Sequence, residues 1–246
     1  MSTTPAIAVR NLTKTFGNFI AVDGITFDVG RGEIFGFLGA NGAGKTTAMR
    51  MLCGLSVPSG GSGSVAGYDI CTQAEELKRH IGYMSQRFSL YDDLTVEENL
   101  RLFATIYGMT DEKIREVTDR LFSALAMEEM RHARVKSLPT GWKQKLAFSA
   151  ATIHEPDVVF LDEPTGGVDP ITRRRFWELI YEASSRGMTV FVTTHYLDEA
   201  EYCNRVSIMV DGRIAALDTP ARLKERYGVK TMEEVFRTVA GGATRG

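Results

Sequence analysis

Glu33-Ile34-Phe35-Gly36-Phe37-Leu38-Gly39-Ala40-Asn41-Gly42-Ala43-Gly44-Lys45-Thr46-Thr47 decides the fold of this 246-residue chain. The apolar run to Leu38 reads as a buried strand, and the glycine-rich stretch behind it opens a helix running to about Gly54. Gly39 to Thr46 fits the spacing of a phosphate-binding loop, with Thr47 following. Glycines let successive backbone N–H groups curl around an anion with no Cβ in the way. The helix that starts there points its partial positive end at the same place. Lys45 can reach the outer phosphates of a nucleotide, and the Thr46 hydroxyl is a hard oxygen ligand suited to Mg²⁺. A chance glycine turn is the plain alternative. The strand before and the helix after supply the context that the motif needs, so Gly39, Ala40, Asn41, Gly42, Ala43, Gly44, Lys45, Thr46 and Thr47 are expected to bind ATP.

Downstream, Val158-Val159-Phe160-Leu161-Asp162-Glu163 is a second apolar run, ending in two acids. Alone, such a pair usually just closes a strand. Beside a phosphate loop it is the expected second half of the site. Asp162 steadies Mg²⁺ through water, and Glu163 polarises the attacking water.

Around these two motifs the period changes along the chain. Ile7-Ala8-Val9 and Ile25 to Val29 read as strands, and Gly30-Arg31-Gly32 as the turn before the next one. Pro58 to Gly63 reads as a polar Gly/Ser loop, and a strand is expected at about 80–85. Val96, Leu100, Phe103 and Tyr107 then fall at helical spacing behind a Thr95-x-x-Glu98 capping box. Ile114, Val117, Leu121 and Leu125 make a second amphipathic helix, and a third begins near Gly141. From about 157 onward, apolar runs alternate with helical patterns, which argues for βα units and a largely parallel sheet. The expected organisation is a core in two parts, 1–86 and 151–246 with short C-terminal helices, interrupted by a helical insertion at 87–150.

The composition excludes several function classes. Lys and Arg number 29 against 31 Asp and Glu, with no basic stripe, so no nucleic-acid partner is expected. The short basic clusters (Lys78-Arg79-His80, Lys143 with Lys145, Arg173-Arg174-Arg175) read as solvated helix faces. Cys53, Cys71 and Cys203 have neither zinc spacing nor a disulfide framework and read as reduced, buried thiols. The N-terminal residues lack the pattern of a secretory signal, and no apolar run approaches the roughly 20 residues that span a bilayer. The chain is expected to be cytoplasmic, with membrane association only through a partner.

The motifs also occur in a recognisable order, and the chain resembles the ATP-binding subunits of ABC transporters from Asn11 to about Phe236, most of all those of ABC-2-type exporters. The matching pieces are Phe16 in Lys14-Thr15-Phe16-Gly17, the phosphate loop, Gln86 after Tyr83-Met84-Ser85, Leu138-Pro139-Thr140-Gly141-Trp142-Lys143-Gln144, the Asp162-Glu163 pair, Gly167-Val168-Asp169-Pro170, and His195 in Thr193-Thr194-His195-Tyr196. Singly, Phe16, Gln86 and His195 are weak signals. The resemblance implies an α/β P-loop NTPase (RecA-like) core with an N-terminal antiparallel β part and an inserted α-helical subdomain. It also implies roles. Phe16 stacks on adenine, Gln86 contacts Mg²⁺ or the attacking water, His195 hydrogen-bonds the γ-phosphate, and Asp169 organises a dimer interface. Leu138, Pro139, Thr140, Gly141 and Trp142 form a signature that closes on the nucleotide of an opposite subunit. The implied partners are integral membrane permease subunits and a second ATP-binding subunit, identical or related, at the inner face of the cell membrane.

One position departs from the family pattern Leu-Ser-Gly-Gly-Gln. Pro139 stands where the serine hydroxyl would donate to the γ-phosphate, and it has neither hydroxyl nor N–H. Proline is tolerated in a first helical turn, so the helix is expected to survive. Two other readings are a non-transport ABC-type ATPase and an ATP-binding regulatory subunit with little turnover. The first lacks here the second ATPase half and basic extensions it usually carries. Glu163 and His195 speak against the second, and Pro139 faintly for it.

Overall fold

The structure is a computed structural model that describes residues 4–86 and 90–243. Its strands are β1 (Ile7–Phe16), β2 (Phe19–Val29), β3 (Ile34–Gly39), β4 (Gly60–Val65), β5 (Tyr68–Asp69), β6 (Ile81–Met84), β7 (Val158–Asp162), β8 (Thr189–Thr194), β9 (Arg205–Val210) and β10 (Arg213–Asp218). Its α-helices are α1 (Lys45–Leu52), α2 (Ala74–Leu77), α3 (Val96–Ile106), α4 (Asp111–Leu125), α5 (Thr140–Thr152), α6 (Pro170–Ser185), α7 (Pro220–Tyr227) and α8 (Met232–Ala243).

Two sheets form. An antiparallel one has the order β2-β1-β4-β5, and a larger one the order β10-β9-β3-β8-β7-β6, parallel except for its β10 edge. The central strands β3, β7 and β8 are buried throughout, as helices and a second sheet on their two faces require. Alternation sorts their side chains. Phe35, Phe37, Phe160 and Phe191 point into one core with Phe27 of the antiparallel sheet, their rings 5.2–6.2 Å apart. Ile34, Leu38, Val159, Leu161, Val190 and Val192 point into the other, against α5, α6 and Trp177. A third cluster fills the insertion around Val96, Leu100, Ile114, Val117, Phe122 and Leu146. The capping box of α3 is present: Thr95 Oγ1 accepts from Glu98 N–H, and Glu98 Oε2 from Thr95 N–H.

Several expectations need correction. Residues 58–63 are not all loop: Gly60–Val65 is a strand, because β1 offers it a partner that its Gly/Ser composition does not advertise. The first strand continues to Phe16 through irregular pairing with β2, and β10 was not anticipated. Cys71 is exposed, while Cys53 and Cys203 are buried free thiols. Arg173 is not a solvated residue. It is 18 % exposed and stacked over Tyr196.

Candidate active site

Parallel pairing brings the C-terminal ends of β6, β7, β8 and β3 to one edge, where open α/β sheets hold their ligands. Leu38 pairs with Thr194, Asp162 with Thr193, and Met84 with Leu161. The phosphate loop, the acid pair, Gln86 and His195 therefore emerge side by side from distant parts of the sequence.

The loop wraps the start of α1. Gly44 has φ +101°, and a Cβ there would stand 2.3 Å from the carbonyl oxygen of Ala21, so only glycine lets β2 come this close. That contact seats the β1–β2 hairpin beside the loop, with Phe16 at its end, 56 % exposed under the Lys14 ammonium. Ala40, Asn41 and Gly42 face solvent, Gly39 and Ala43 are buried, and Thr47 is half-buried in the first turn of α1. Lys45 is 5 % exposed. Its Nζ donates to Gly39 O at 2.8 Å and Ala40 O at 3.2 Å, and stands 3.5 Å from Glu163 Oε1.

Asp162 and Glu163, 4 % and 9 % exposed, divide two tasks. Asp162 Oδ1 accepts from Thr193 Oγ1 at 2.7 Å and from Thr46 Oγ1 at 3.3 Å. Burial, reinforced by this carboxylate, pushes the nearby Tyr83 hydroxyl up to about 12 and raises the Cys53 thiol. Glu163 Oε2 accepts from Gln86 Nε2 at 3.0 Å and lies 2.9 Å from His195 Nδ1. A carboxylate only accepts, so this ring nitrogen carries the proton. Gln86, His195, Lys45 and Glu163 thus form one connected group around the loop.

The remaining motif residues lie apart from that group. Leu138 is buried in the insertion, Pro139 and Thr140 are exposed, and Trp142 packs on the insertion core under Lys145. A Cβ on Gly141 would meet Thr172 Cγ2 of α6 at 2.8 Å. Pro139 is the N-cap of α5, and no side chain caps that helix end. Asp169 is exposed and caps α6 by accepting from Ile171 N–H and Thr172 N–H, each at 3.0 Å. The Thr172 hydroxyl and these backbone bonds hold its carboxyl below the usual range. The apolar Phe88, two residues after Gln86, lies outside the described residues. Of its neighbours, Leu90 packs between two cores and Tyr91 is 54 % exposed.

Sequence reasoning quoted two buried residues here within its motifs but gave neither a role. Thr193 donates to Asp162, and its hydroxyl also accepts from Glu163 N–H at 3.0 Å. Gln144 is buried and donates from Nε2 to Pro164 O, which ties α5 to the turn after Glu163.

The family model of the ABC transporter matches residues 22–166. The chain belongs to that family. It is 46 % identical over 235 residues to the probable multidrug ABC transporter ATP-binding protein YbhF of Escherichia coli (strain K12), covering 94 % of this chain and 41 % of that protein. It therefore spans about two fifths of the length of that ABC protein. It is 38 % identical over 230 residues to the Nod factor export ATP-binding protein I of Rhizobium sp. (strain N33), covering 93 % and 76 %. Among solved structures, an ATP binding subunit of an ABC transporter superposes with a TM-score of 0.86 at 29 % identity, covering 96 % of this chain and 99 % of that one. The cbiO1 protein of Clostridium perfringens, part of an ABC transporter complex, gives 0.82 at 27 %, covering 96 % and 94 %. The two-sheet α/β architecture with its helical insertion is thus that of ABC ATP-binding cassettes.

Proposed function

We propose that this chain binds ATP on the 39–47 loop and hydrolyses it to drive a membrane transporter. The observation that carries this reading is Glu163: one carboxylate oxygen is held by Gln86 and His195 while the other faces Lys45. Backbone N–H groups of the loop and Lys45 bind the phosphates, and Phe16 stacks on the adenine. Glu163 takes a proton from water as the water oxygen bonds to the γ-phosphorus and the bond to the β–γ bridging oxygen breaks. Gln86 and His195 hold that carboxylate and, with the phosphate bound, orient the water and the γ-phosphate oxygens.

The site suits Mg²⁺. Thr46 Oγ1 and Asp162 Oδ1 are two hard oxygens 3.3 Å apart at the foot of the loop. No group of three or more His, Cys, Asp or Glu among the described residues could hold a metal by itself, so phosphate and water oxygens would complete its shell. Thr46 and Asp162, the latter through water, would hold the ion, with Gln86 beside it. When bound it supplies charge neutralisation on the phosphates.

The core comprises 1–86 and 151–246, and 87–150 is the insertion that carries the signature segment. Its exposed Pro139 and Thr140 support a role outside this chain's own site, in which residues 138–142 and Asp169 meet the nucleotide and surface of a second ATP-binding subunit, identical or related. No helix among the described residues is long and apolar enough to cross a membrane. From the relatives' names, we propose that the chain sits at the inner face of the cell membrane through an integral permease, which docks near Leu90 and Tyr91. An export direction is supported by the relatives named for multidrug and Nod factor export.

Lys45→Ala tests the binding half of the proposal. ATP affinity is expected to fall by 100-fold or more, about 3 kcal/mol, since the loop loses its fixed cation. An unchanged affinity in calorimetric titration would remove the loop from the account.

A further inference from the structure

Glu199 is a buried carboxylate that the reaction above does not use. It is fully buried, accepting from Thr165 Oγ1 at 2.5 Å and from Thr194 Oγ1 at 2.6 Å, with Arg173 Nε 3.6 Å away. Its two hydroxyl partners are also fully buried and belong to the two segments that matter most. Thr165 lies two residues beyond Glu163, in the turn closed by Gly166 N–H donating to Glu163 O at 3.1 Å. Thr194 immediately precedes His195, and its Oγ1 also accepts from Tyr196 N–H at 3.0 Å, so this hydroxyl brackets the histidine. Arg173, on the helix that starts at Asp169, stacks 4.1 Å from the Tyr196 ring and reaches Asp198 Oδ2 at 3.3 Å.

We propose that Glu199 is a positioning residue, one carboxylate that locks the turn behind Glu163 to the loop carrying His195. A tie is needed at this point. Glu163 sits at φ +47°, a conformation that a residue with a side chain holds only when its surroundings over-determine it. The 2.9 Å contact between Glu163 and His195 spans two segments that, among the described residues, no backbone ladder joins beyond the end of β8. Glu199 supplies that join from below, and Arg173 extends it to the helix behind Asp169. ATP binding by the 39–47 loop does not pass through Glu199. Its loss should therefore slow turnover without loosening nucleotide. A purely structural carboxylate would instead affect stability alone.

The inference rests on Glu163 and His195 being the reacting-end pair. That reading has its own control: a Glu163→Gln variant that keeps turnover defeats it whatever Glu199 does. In this chain with all 246 residues, Glu199→Ala is expected to lower kcat by about 10- to 100-fold, the scale of a misplaced catalytic group. ATP affinity, titrated with Mg²⁺ chelated, should stay within about threefold of the parent. Glu199→Gln can still accept from one threonine and donate to the other, and should recover most of kcat. Thr165→Val and Thr194→Val each cut one arm, and should each lower kcat, with the double variant no worse than Glu199→Ala. If Glu199→Ala does not fold, the valine pair decides. In the nucleotide-free chain, amide exchange at 163–169 and at 194–198 should quicken together. Parent kcat per folded molecule in Glu199→Ala or in the valine pair, equal losses of kcat and ATP affinity, or faster exchange confined to 199–203, would each overturn the proposal.

Discussion

Glu163 adopts a left-handed backbone conformation at a cost on the order of 1–3 kcal/mol. Its N–H offsets this by reaching both the carbonyl oxygen and the hydroxyl of Thr193, at 3.1 and 3.0 Å. The same hydroxyl fixes Asp162, so one atom aims both acids. Thr193→Val keeps the shape and removes that atom. It is expected to cost about 2 kcal/mol in denaturant unfolding, and to lower the phosphate-release rate by about tenfold. Parent values in both measurements would show that the acids are aimed by something else. Lys45, Asp162 and Glu163 were legible in the sequence because their chemistry lies in spacing along the chain. Thr193 and Glu199 were not. A threonine in an apolar strand looks like a β-former, and a glutamate just past a turn looks solvated. Their partners become visible only once β7 and β8 lie in register.

At the scale of elements, the buried parallel strands and the insertion helices were readable because their burial writes a period into the sequence. β4 and β10 were not, since their pairing is decided by neighbours rather than by their own residues. How the insertion seats on the sheet was equally hidden. His154, just past α5, stacks on Tyr107 at the end of α3 with ring centroids 3.5 Å apart, and its Nε2–H donates to Ile81 O of β6 at 3.1 Å. Its other nitrogen is buried and, among the described residues, has no partner. Burial pushes this imidazole down to about 4 against a pull upward from the Ile81 carbonyl. The folded protein therefore prefers the neutral ring, while the unfolded chain takes a proton below about 6.5. This contribution to stability is fully present above about pH 6.5 and is lost as pH falls toward 4, reaching about 2 kcal/mol for a partly solvated ring. Urea midpoints measured between pH 7 and 4 should decline less in His154→Gln than in the parent. Parallel pH profiles would show that the ring is not held neutral.

For the whole molecule, the proposed function makes this site half of something larger. Gln144 ties α5 to the turn after Glu163, so under the proposed dimer closure the approach of a partner's nucleotide would be felt at Glu163. Pro139 leaves the end of α5 uncapped by any side chain. Pro139→Ser restores a hydroxyl and an N–H there and is expected to tighten ATP-dependent dimerisation of the Glu163→Gln background about tenfold, one hydrogen bond to a charged group. A lower dimer affinity would rule out the missing hydrogen bond. The central claim, that Glu163 drives hydrolysis of ATP held on the Lys45 loop, is tested most directly by phosphate release from Glu163→Gln beside the parent, with bound ATP measured in the same samples. Retained ATP binding with turnover reduced at least 100-fold, about 3 kcal/mol of transition-state stabilisation, is the expected result. Phosphate release at the parent rate would contradict it.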